Sequence, residues 1–141
     1  MLAKTYLTAK ELGLTEIERD ALIQVLEAID SGKIAVVSNF ARLIGHEQFL
    51  HMGNWRIIIE DENCCPCATV ACIAGWGFEL SGGKAFQFVG SFGHGGGMYM
   101  KQHPDLRDLF LPSEEIMKLA GRVEVRHALF SYLSTGKADW G

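Results

Sequence analysis

Between Ala68 and Phe78 the chain carries no charged residue, and this apolar run directly follows Cys64-Cys65-Pro66-Cys67. A run of this kind must be taken out of water, so it constrains the fold more than any other segment. It is too short to span a bilayer, which needs about 20 apolar residues. Its small residues Ala68, Cys72 and Gly75 fall at helical spacing, and Thr69, Ile73, Trp76 and Leu80 form a bulkier side. The spacing predicts a buried central helix over 67–80, closed by Ser81-Gly82-Gly83.

Two further helices surround it in this reading. Thr15-Glu16-Ile17-Glu18 has the form of a capping box, with Thr15 as N-cap and Glu18 three residues on. Ile17, Ala21, Val25, Ala28 and Ile29 then recur at helical spacing, and Gly32 suits the left-handed end. The predicted helix spans 16–31. Pro112-Ser113-Glu114-Glu115 opens another, over 113–134, with its acids in the first turn and Gly121 as a point of division. Its apolar stripe is read as Ile116, Leu119, Ala120, Val123, His127, Phe130 and Leu133, which makes His127 a hydrogen-bonded core residue. A short helical turn is expected over 105–110. The β-branched runs at 34–37 and 55–60, with 85–89, supply candidate strands, and a short helix or turn is placed within 40–54. The expected class is mainly α (α+β): a central apolar helix 67–80 packed by helices 16–31 and 113–134, with a small antiparallel sheet or hairpin.

At 141 residues the chain reads as one domain over 1–141. Net charge is −4 and no lysine or arginine run forms a basic stripe, so binding to nucleic acid through phosphates is not expected. The segment Met1–Glu11 lacks the apolar core of a signal peptide. The chain is expected to be soluble and cytoplasmic, with no membrane partner and with its cysteines reduced. An apolar fraction of 48% and a mean hydropathy of +0.11 leave a surplus that a second copy could cover, so a homo-oligomer is expected.

The segment from Cys67 to Trp76, read with Met52-Gly53-Asn54-Trp55 and the closing Thr135-Gly136-Lys137-Ala138-Asp139-Trp140, resembles small uncharacterised bacterial and phage-associated proteins. Those carry Cys-Gly-Thr, two variable residues and Cys-Ile-Ala-Gly-Trp. Ala68 stands where the pattern has glycine, and Cys64 and Cys65 fall outside it. The resemblance implies no activity.

Chemistry, where there is any, centres on the thiols. Cys64-Cys65-Pro66-Cys67 is a C-x-P-C motif at an expected helix start, which would make Cys64 the attacking thiolate and Cys67 the resolving thiol of a redox enzyme. Cys67 with His94 as base, in the glycine-rich stretch 90–97, is the alternative arrangement of a Cys-His hydrolase. Cys64, Cys67 and His51 could contribute to a zinc site, with Cys65, Cys72 or His46 as fourth ligand, although a second closely spaced ligand pair is missing. The favoured reading has no cofactor: Cys72 is an inert core thiol and no catalytic set is complete. Trp76 is read as core and Trp140 as an anchor for the tail. The chain then reads as a non-catalytic binding or interaction module of unknown ligand, with a thiol-dependent enzyme as the alternative.

Overall fold

The computed structural model describes residues 6–36, 48–50, 52, 56–61, 64–86 and 103–140, with 56–61, 64–71 and 118 described by their backbone. Six helices and four strands are present among them, so the α+β class holds.

Local signals start the helices. Thr8 and Glu11 form a capping box at α1 (Ala9–Leu12), which ends at Gly13 with φ +71°. Thr15 does the same for α2 (Glu16–Asp30): Glu18 N donates to Thr15 Oγ1 at 3.1 Å, and Thr15 N donates to Glu18 Oε1 at 2.9 Å. Such a cap contributes about 1 kcal/mol. The predicted face of α2 is buried from Ala21 to Ile29, while Ile17 in the first turn is exposed. Gly32 has the left-handed φ of +79° expected of it.

The main correction concerns the cysteine segment. Residues Cys64–Ala71 form a strand, and the helix begins only at Ile73. The sheet contains β1 (Ala35–Val36), β2 (Gln48–Leu50), β3 (Arg56–Asp61) and β4 (Cys64–Ala71), in the order β1-β2-β4-β3. β1 with β2 and β2 with β4 are parallel, and β3 with β4 is antiparallel. A small sheet with an antiparallel hairpin is present as expected in class, but the strand that pairs with Arg56–Asp61 is Cys64–Ala71 and not one of the runs 34–37 or 85–89. Ile57, Ile58 and Ile59 stand opposite Val70, Thr69 and Ala68. Pairing with this β-branched run takes Ala68–Ala71 into a ladder, and a long-range partner overrides a weak helical preference. Pro66 fits because it lies where the register slips, between the pairs Ile59–Ala68 and Asp61–Cys64, and beyond the Thr69–Ala71 stretch that β2 covers.

The remaining half of the apolar run is α3 (Ile73–Leu80), with Ile73 to Gly77 buried. It packs against α2 and follows β4. Trp76 is buried, and its Nε1 donates to Phe49 O at 2.7 Å, tying α3 to β2. After α3, Ser81 Oγ accepts from Ala85 N at 2.9 Å and turns the chain back, which seats Phe86 against Gly77. Ala85 and Phe86 are not in a strand, and 87–89 lie outside the described residues. Gln48–Leu50, expected to be turn or helix, is a strand held between β1 and β4.

Pro104, at the first helical position, opens α4 (Pro104–Phe110). Ser113 Oγ accepts from Ile116 N at 3.3 Å and starts α5 (Glu114–Leu119). Gly121 does divide the predicted long helix, and α6 (Arg122–Thr135) follows. The break resets the helical phase. The buried residues of α6 are Val125, Ala128, Leu129, Tyr132 and Leu133, so Val123, His127 and Phe130 face outward and His127 is not a core residue. No helix among the described residues is long and apolar enough to cross a membrane.

Candidate functional site: the corner between α5 and α6

The thiol candidates do not share the setting that their sequence suggested. Cys64 and Cys67 belong to the backbone of β4, with Cys64 opposite Asp61, so neither opens a helix. The helix N-terminus that would acidify them belongs instead to Cys72, the N-cap of α3. His46, His51, His94 and the stretch 90–97 lie outside the described residues. Among the described residues, no three of His, Cys, Asp and Glu converge as a metal site would require.

Cys72 is buried, and burial pushes its thiol pKa up despite the opposing backbone amides of Gly75 and Ala74. Desolvation disfavours the thiolate, so the thiol is neutral and packs as a small apolar group. The unfolded chain gives up this proton near pH ~8.5 while the folded chain holds it to higher pH. The associated stability is whole below about pH 8.5 and is lost as pH rises towards the folded value. Denaturation midpoints measured from about pH 7 to 10 should therefore fall more steeply for the wild type than for Cys72→Ala. Parallel curves would show that Cys72 ionises equally in both states.

The surface has its own feature where α5 meets α6. A notch of about 210 Å³ is lined by Glu115, Ile116, Leu119, Ala120, Glu124 and Trp140. Each wall has a local cause. Ala120 is extended, with ψ 121°, and ends α5. Gly121 N donates to Glu124 Oε1 at 3.1 Å, which fixes the first turn of α6 and places one carboxylate at the rim. The third wall comes from the tail. Gly136 leaves α6 at φ +83°, and the returning chain is fastened by Asp139 N donating to Ser131 Oγ at 2.8 Å and by the His127 Nε2–Asp139 Oδ2 pair at 3.1 Å. Trp140 Nε1 donates to Asp108 O at 2.8 Å, so the indole is the anchor that the sequence suggested.

Leu119, on the lining, and Val123, next in the chain to Glu124, are 66% and 72% exposed, the two most exposed large apolar side chains among the described residues. Single exposed aliphatics are ordinary; these two flank the break at Gly121 along the chain, and Leu119 belongs to the apolar lining of the notch. The sequence stripe includes both residues; for Val123 it carries the phase of α5 across the break at Gly121, whereas Leu119 is the last residue of α5 itself. The exposure of Val123 follows from that break. Chemically, the described side chains of the corner offer apolar contact and two carboxylates and include no nucleophile.

No protein-family model, no curated protein and no solved structure matches the chain.

Proposed function

We propose that this protein is a non-catalytic interaction module of the cytoplasm that works as a homo-oligomer and engages a partner through the corner between α5 and α6. The observation that carries the reading is the exposure of Leu119 on the notch lining and of Val123 next in the chain to the lining residue Glu124. Burying one such side chain against a partner contributes about 1.5–3 kcal/mol, enough for a pair of them to decide an interaction. The notch is smaller than the range of about 300–1,000 Å³ usual for small-molecule sites, which favours a macromolecular partner that inserts one side chain. The homo-oligomer rests on the apolar surplus of the composition, and sedimentation equilibrium should show a species heavier than the 15.6 kDa chain.

The corner is tested with Leu119→Ser/Val123→Ser. Both positions are at the surface, so thermal midpoints should stay close to the wild type. Cross-linking to immobilised chain should give a partner that the wild type retains and the double variant loses by about tenfold or more. Equal retention by the two proteins overturns the assignment of the corner.

A further inference from the structure

We infer that the notch between α5 and α6 receives an arginine side chain from a partner protein, a step that rests on the interaction reading above. The lining divides into two chemistries. Ile116, Leu119 and Ala120 give an apolar bed on which the methylene stem of a long side chain can lie. Glu115 and Glu124 supply two carboxylates and Trp140 supplies an aromatic ring, and no basic residue lines the notch among those whose side chains are described.

Glu115 makes no ion pair among the described residues. Glu124 commits Oε1 to the Gly121 amide, which leaves Oε2 for a ligand. Arg122 is next along the chain but does not line the notch. A volume of about 210 Å³ is of the size of one large side chain. Apolar walls, an aromatic ring and paired acids together suit a cation on a greasy stem. Arginine meets these terms better than lysine, because its planar fork can bind two carboxylate oxygens and stack on a ring while shedding water more easily. The net charge of −4 adds a long-range attraction for a basic partner.

The probe is a blocked five-residue peptide with arginine at its centre, titrated into the full-length ¹⁵N-labelled chain, beside the same peptide with norleucine. The arginine peptide should shift the amides of Glu115, Ile116, Ala120 and Glu124 and the indole of Trp140. Norleucine should bind at least about fivefold more weakly, since it lacks both charged contacts. Glu115→Gln/Glu124→Gln should weaken the arginine peptide by about two- to fivefold per charge removed, an effect that shrinks at high salt. The side-chain carbonyl that Glu124→Gln retains still accepts from the Gly121 amide, so the thermal midpoint should hold.

Absence of shifts at the corner overturns the inference, as do equal shifts with norleucine or indifference to the glutamine pair. Movement of the same resonances on dilution without peptide also overturns it, because a second copy would then fill the notch. Partner retention that depends on Leu119 and Val123 while the arginine probe fails leaves the interaction surface standing and removes only the arginine. Retention that ignores Leu119 and Val123 removes the surface itself.

Discussion

Replacing Phe86 by alanine should lower stability by about 3–5 kcal/mol, read as a fall in the denaturant midpoint at unchanged slope. The ring is buried and meets Phe110 edge-on, with centroids 4.9 Å apart and planes at 86°. It also lies against the bare backbone of α3 at Gly77. An added β-carbon at Gly77 would sit 2.8 Å from both Cδ2 and Cε2 of Phe86, closer than real contacts come. Gly77→Ala should therefore cost about 1–3 kcal/mol from overpacking, although alanine is intrinsically the better helix residue by about 1 kcal/mol. Once Phe86 is alanine the obstruction is gone, and Gly77→Ala should turn neutral or stabilising. That change of sign is the test of the contact, because simple loss of helix flexibility would cost the same in both backgrounds.

The backbone of Phe86 adds a second reading of the same site. Its φ is +61°, the left-handed region that a side chain other than glycine enters only at a cost. Burial against α3 and Phe110 offsets that cost. Phe86→Ala loses the burial and keeps the strain, whereas Phe86→Gly loses the burial and releases the strain. The glycine variant should be no less stable than the alanine variant, the reverse of the usual order in regular structure. A glycine variant clearly weaker than the alanine variant would place the ring's seat elsewhere.

Elements set by their own residues were readable from the sequence. The helix after Thr15 was legible because Thr15 and Glu18 satisfy each other's backbone amides within one turn. Ser113 and Pro104 announced their helices in the same local way. The segment Cys64–Ala71 was not legible, because an uninterrupted apolar run carries no period. What decides it is the Ile57–Ile59 run across the hairpin and β2 on its other side. Reading a helix from Cys67 also placed an acidifying helix end at the wrong cysteine, so the secondary-structure error passed into the chemistry. The corner was missed for a related reason. Gly121 is visible in the sequence as a divider, but the change of helical phase that turns Val123 outward is not, and the outward position of Leu119 at the end of α5 has no sequence signal. Trp140 was seen as an anchor, yet its role as a wall depends on Asp108, which only the fold brings near.

Removing the indole of Trp76 should have the second large effect, and it should be felt furthest in the sheet. Trp76→Ala empties a buried site and should cost about 3–5 kcal/mol. Trp76→Phe keeps an aromatic ring but takes away the donor that reaches Phe49 O at 2.7 Å, and should cost about 1–3 kcal/mol. The location of the loss is more telling than its size. β2 has three residues, paired through Ala35 and Val36 on one side and Thr69 to Ala71 on the other. A strand this short gains little from its ladder alone, and the indole bond fastens it to α3, which is itself packed on α2. Native-state hydrogen exchange of Trp76→Phe should therefore speed up in β1 and β2 by more than the global loss of stability accounts for. Exchange within α2 should rise only by that global amount. An even rise across the sheet and α2 would mean that the sheet and helices open as one unit, and the tie between Trp76 and Phe49 would then have no special part in holding the two layers together.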